Sequence, residues 1–95
     1  MPNATTTVPT GNASKYMQQL CKHFAHKVSV EYDDARAVVD FPFGNCRMWA
    51  DERELRIECE AESDEGLRRA QGVIVDHLAR FAWREKPPIA WEAAV

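Results

Sequence analysis

Two apolar triplets at period two, Cys46-Met48-Ala50 and Leu55-Ile57-Cys59, constrain the fold of this chain more than any other feature. Successive side chains point to opposite faces of a strand, so each triplet shares one face only in extended backbone. If Glu52-Arg53 is a two-residue turn, Ala50 opposes Leu55, Met48 opposes Ile57 and Cys46 opposes Cys59. All six then lie on one face, while Arg47, Trp49, Arg56, Glu58 and Glu60 lie on the other. A slip of one residue would turn the apolar groups to water, so burial itself sets the register. The turn lacks the glycine that the tightest hairpins favour, which leaves a longer loop open.

The same alternation extends upstream. Val28, Val30 and Tyr32 alternate with Ser29 and Glu31, Asp33-Asp34 reads as a turn, and Ala37, Val39, Phe41 and Phe43 follow at the same period. These segments make a four-strand antiparallel meander with one apolar face. Two amphipathic stretches flank it. Met17, Leu20, Cys21, Phe24 and Val28 recur at helical spacing after an N-cap at Asn12 or Ser14, with Lys15, Gln19, Lys22 and His26 on the opposite side. Leu67, Ala70, Ile74, Leu78 and Phe81 form a second stripe after Ser63 or Asp64; it fades near Arg84, and Pro87-Pro88 end it. Ile89 and Trp91 read as a last short strand, expected at the sheet edge beside the first strand of the meander.

The expected fold is thus α+β, a two-layer sandwich in the order α-β-β-β-β-α-β. An antiparallel sheet of four or five strands carries two helices on one face. Residues 1–12, rich in Thr, Asn, Pro and Gly, read as a flexible arm, with Thr6-Thr7-Val8 as an alternative edge strand; residues 13–95 form a single domain.

Composition excludes several classes of function. With 45% hydrophobic and 28% charged residues in 95 positions, the chain suits one globular core. A net charge of −3 with interspersed signs gives no general attraction to nucleic acid or anionic membrane. No apolar run approaches the roughly 18–20 residues that span a bilayer, and the start lacks the basic and apolar regions of a secretory signal. Three cysteines do not make a disulfide framework, so the expected compartment is the cytoplasm. There is no glycine-rich phosphate loop.

Cys21-Lys22-His23-Phe24-Ala25-His26 has the form C-x-H-x-x-H and invites a metal reading. On a helix Cys21 lies about 160° from His23 and about 140° from His26, so the three cannot converge. His23 and His26, about 60° apart, could share an ion, but two ligands do not close a site. Cys46 and Cys59 could form a cross-strand disulfide or simply fill space beneath the helices. His77 sits at the margin of its stripe without a carboxylate partner on its face, so no acid–base scheme can be built on it. Phe41-Pro42-Phe43-Gly44 either lines a ligand groove or plugs one end of the core. Trp49 and Val38 stand among charges on the outer face, and Trp83 falls off its helical stripe; a partner surface is one reading and scattered exposure the other.

Three segments together resemble a known family: Ser14 to Lys27, Asp40-Phe41-Pro42-Phe43-Gly44-Asn45-Cys46, and His77 to Glu85. The family is the bacterial domain-of-unknown-function family numbered 2218, and the resemblance spans roughly Val8 to Glu92. It implies a small stand-alone protein. Some similar domains precede siderophore-interacting flavin reductases, which implies a link to iron acquisition but supplies no catalytic residue.

The leading expectation is a non-catalytic accessory or binding module tied to iron-siderophore handling. It needs no cofactor, and its partner is a siderophore-related protein or a small-molecule ligand. The candidate contact residues are His23, His26, Phe41, Phe43, Trp49 and His77. A metal-binding or redox protein using His23 and His26 is one alternative. A homodimer through the open sheet face around Trp49 is another.

Overall fold

The computed structural model describes residues 2–81, 89 and 91–93. Its elements run β1 (Asn3–Pro9), α1 (Ala13–Phe24), β2 (Ser29–Tyr32), β3 (Arg36–Phe41), β4 (Gly44–Ala50), β5 (Glu54–Glu60), α2 (Asp64–Phe81) and β6 (Glu92–Ala93). The strands form one six-stranded sheet in the order β2-β3-β4-β5-β1-β6, antiparallel throughout.

The central hairpin has the register that burial demands, with Cys46 opposite Cys59, Met48 opposite Ile57 and Ala50 opposite Leu55. Its turn is the short one. Asp51 stabilises it by a different means from glycine, its Oδ1 accepting from the backbone N–H groups of Arg53 (2.7 Å) and Glu54 (2.9 Å). Asp33 does the same in the β2–β3 turn, accepting from Ala35 and Arg36, each at 2.8 Å.

Both helices cover the same sheet face. Met17, Leu20 and Cys21 of α1 and Ala70, Ile74 and Leu78 of α2 join Val39, Cys46, Met48, Leu55 and Ile57 in one core. Each fully buried large aliphatic side chain contributes about 1.5–3 kcal/mol relative to exposure. Among the described residues, no helix covers the other sheet face.

Three expectations are corrected. Residues 3–9 are not an arm: β1 pairs with β5 along its whole length, from Asn3 opposite Glu60 to Pro9 opposite Glu54. Ala4, Thr6 and Val8 point inward and are buried, and the backbone is tied at both ends by Thr10 N–H to the Arg53 carbonyl (2.9 Å) and Ala61 N–H to the Pro2 carbonyl (3.0 Å). The order is therefore β-α-β-β-β-β-α-β. The last strand does not flank the first strand of the meander. β6 pairs with β1 at the opposite edge, because β1 occupies the position next to β5 and leaves its own far side open. Finally, α1 stops at Phe24, where the Phe24 carbonyl accepts from both Lys27 and Val28 (2.9 Å each), so His26 lies in a turn beyond the helix.

Ile89 and Trp91 rest half-buried against the core, just before β6. The expectations for Trp83, Arg84 and Pro87-Pro88, and for the side chain of Phe81, lie outside what is described. Among the described residues no helix is long and apolar enough to cross a membrane.

Candidate functional site

The site lies where the C-terminal end of α1, the middle of α2 and the β3–β4 turn meet. That turn is Phe41-Pro42-Phe43-Gly44, with Phe41 and Gly44 as the closing pair. Pro42 presets the backbone of the first corner position. Two glycines let the chain close around it. A Cβ on Gly44 would lie 2.6 Å from the Glu60 carbonyl oxygen, and one on Gly66 would lie 2.5 Å from the Phe43 carbonyl oxygen. The first turn of α2 therefore abuts the backbone of Phe43. Ser63 caps that helix, its Oγ accepting from the Gly66 N–H at 3.0 Å.

This close approach gathers aromatic rings from three elements. Phe41 and Phe43 stack nearly parallel, 7° apart with centroids separated by 5.2 Å. Phe24 stands edge-on to Phe41 at 5.1 Å and to His77 at 5.0 Å. His23 and His77, on different helices, approach to 4.6 Å. These spacings are typical of favourable aromatic pairs. The Arg69 guanidinium covers the Phe43 ring at 4.8 Å.

The turn separates two recesses of opposite character. On the α1 side a cavity of about 250 Å³ is lined by His23, Phe24, Lys27, Val28, Phe41 to Phe43, Val73 and His77, with no carboxylate among them. On the far side a larger, polar cleft of about 490 Å³ carries Asp40, Glu60, Glu62 and Glu65 beside Arg69.

His77 Nδ1 lies 2.7 Å from the Val73 carbonyl. A carbonyl can only accept, so the proton is assigned to Nδ1, and Nε2 carries the lone pair whenever the ring is neutral. The pKa of His23 is held below its ordinary value by partial desolvation first, then by the positive charges of His77, Lys27, His26 and Arg80.

Of the six candidate residues, the structure brings together His23, Phe41, Phe43 and His77. His26 is exposed in the turn after α1 and does not line the cavity, so the helical angle that paired it with His23 no longer applies. Trp49 lies on the open sheet face, half-buried, with the Arg56 guanidinium 5.6 Å from its ring. Among the described residues, no three ligand-type side chains are grouped to hold a metal. The residues not singled out in the sequence are Phe24, Lys27, Val28 and Val73. Phe24 and Val28 carried only a core-stripe signal, and nothing local pairs them with α2.

The cysteines are free and buried. Cys46 and Cys59 Sγ atoms are 2.8 Å apart. That thiol–thiol contact, reinforced by burial, pushes Cys46 far up from its ordinary range. Burial alone raises Cys21 to about 11. None of these features favours a reactive thiolate.

Fold and site together define a small two-layer α+β protein, an antiparallel sheet covered on one face by two helices. The chain belongs to the family described as uncharacterized protein conserved in bacteria (DUF2218), which it matches over residues 5–92. It is similar to PA4090 from Pseudomonas aeruginosa, whose NMR structure superposes with a TM-score of 0.83 at 35% identity, covering 97% of this chain and 96% of that one. No curated protein matches it.

Proposed function

We propose that this protein is a non-catalytic binding module whose ligand site is the aromatic cavity between α1, α2 and the β3–β4 turn. One observation carries the reading: His23, Phe24, Phe41, Phe43 and His77 come from three separate elements and surround a single recess. Small-molecule sites are concave, mostly apolar and furnished with few polar groups. The cavity has that character, with two imidazoles and one ammonium as its polar complement. An acid–base mechanism would need a paired carboxylate or a nucleophile beside the histidines, and among the described residues the lining offers neither.

The test is an amide chemical-shift titration of the full chain with a panel of one-ring aromatic fragments. Saturable shifts clustered at residues 23–28, 41–44 and 73–77 are expected, and Phe43→Ala should reduce them. Shifts spread evenly over the surface would sink the site.

The resemblance to domains that precede siderophore-interacting reductases supports a narrower reading, a module of iron-siderophore handling. Ferric siderophores and such a reductase form a second arm of the titration, and silence from all of them removes that part. A homodimer through the open sheet face is less supported, because the Arg56 guanidinium lies over Trp49 and, among the described residues, Val38, 41% exposed, is the large apolar group still open there.

A further inference from the structure

The character of the cavity narrows the class of ligand. At about 250 Å³ it falls below the roughly 300–1,000 Å³ of sites for drug-sized molecules, so it suits a single ring with a short substituent. Its walls are the ring of Phe24 and the stacked pair Phe41 and Phe43, with Val28 and Val73 completing the apolar lining. Such walls reward an aromatic guest, through edge-to-face and offset contacts, more than an aliphatic one of equal volume.

The polar part of the lining is one-signed. Lys27, His23 and His77 contribute it, Lys27 and His23 are exposed at the mouth, and no acidic residue joins them among the described residues. Asp40, Glu60, Glu62 and Glu65 lie beyond the Phe-Pro-Phe turn, in the other cleft. An anion is therefore repelled on one side of the turn and attracted on the other.

Resting on the binding reading above, we infer that the cavity takes a single-ring aromatic carboxylate, its ring against Phe24 and Phe41 and its carboxylate toward Lys27 and His23. The ammonium of Lys27 supplies a charge-assisted hydrogen bond at the mouth, and the rings supply burial and shape. A neutral aromatic keeps the second contribution only, and an aliphatic acid keeps the first.

Benzoate, benzamide and acetate, titrated separately into the isotope-labelled full chain, test this. Benzoate should shift residues 23–28 and 41–43 saturably and bind about tenfold tighter than benzamide, the difference expected for one charge-assisted contact. Acetate should produce no saturable shift there. Lys27 is exposed, so Lys27→Gln is expected to fold; it should bring benzoate down to the affinity of benzamide. Equal binding of benzoate and benzamide overturns the anion specificity while leaving the binding site standing. Acetate acting as well as benzoate overturns the aromatic specificity. No response to either ring compound overturns both this inference and the reading it rests on.

Discussion

At one end of the sheet, two neighbouring turns are closed by aspartates; at the other, a single turn is closed by two phenylalanines around a proline. Asp33 and Asp51 each accept two backbone N–H groups from their own turn, and Ser14 of α1 donates to the Asp34 carbonyl at 2.6 Å. That end is stabilised mainly within each turn, by short polar groups that remain in water, with one tie to α1. The Phe41–Gly44 end relies on long-range contacts: α2 lies against the Phe43 backbone, Phe24 against Phe41, and His77 against both Phe24 and His23. The recess at the aspartate end, about 440 Å³, lies between the start of α1 and the two turns, with Ser14, Lys15, Asp34 and Asp51 in its lining and no aromatic ring there among the described residues. Closure by rings from three elements leaves imperfectly filled space between them, and the cavity is that space.

The contrast can be broken most strongly at glycine. A Cβ on Gly44 would press on the Glu60 carbonyl, whereas one on Gly11, at the aspartate end, would meet nothing within 4 Å. Gly44→Ala should therefore lower stability by about 1–3 kcal/mol, the usual cost of forcing atoms into a filled site. Gly11→Ala should be neutral or slightly stabilising through the unfolded chain. Urea denaturation midpoints measure both, and equal midpoints for the two variants would refute the claim that the ends differ in tightness.

A smaller effect is expected at the turns. Asp51→Ala removes an acceptor for two N–H groups and should lower the melting temperature, while Asp51→Asn, which retains the Oδ1 acceptor, should lower it less. The same bonds give a sign for pH. Backbone donation from Arg53 and Glu54 holds the Asp51 carboxyl below its ordinary 3.8. The stability it contributes is present above that value and is lost as pH falls through the lower folded value. Asp33 behaves alike through Ala35 and Arg36. Melting curves between pH 5 and pH 2 should converge for wild type and Asp51→Ala; parallel curves would show that the carboxylate form is not what closes the turn.

The two ends also differ in how far sequence reveals them. The meander was legible because period-two burial leaves one register, and Asp33 announces its turn by residue type. β1 was harder to read, since its inward positions Ala4, Thr6 and Val8 include a buried hydroxyl that weakens the apolar alternation. The site was legible only in fragments. Phe41, Phe43, His23 and His77 each stood out singly, but the contact between His23 and His77 depends on how two helices lie side by side on the sheet. No spacing within either helix encodes that. His26 misled for the opposite reason: its spacing from His23 is helical, yet the helix ends before reaching it.

The smallest expected effect probes the aromatic end by titration. His23 is held below its ordinary 6.5 by partial desolvation first and then by the cations around it. Between the folded value and 6.5 the unfolded chain binds more protons at this position than the native one, so stability falls as pH drops through that window. Above 6.5 the penalty is absent, and below the folded value it is complete. His23→Gln removes the titrating group and should flatten the melting temperature between pH 7 and pH 5 relative to wild type. The difference between the two curves isolates His23 from other groups that titrate nearby. Lys27→Gln should move the His23 imidazole resonance to a higher midpoint by removing one neighbouring cation. Identical pH slopes, with an unmoved midpoint in Lys27→Gln, would mean that the cationic mouth of the cavity does not act on His23, and the contrast between a polar, locally closed end and a cationic, aromatic one would lose its electrostatic half.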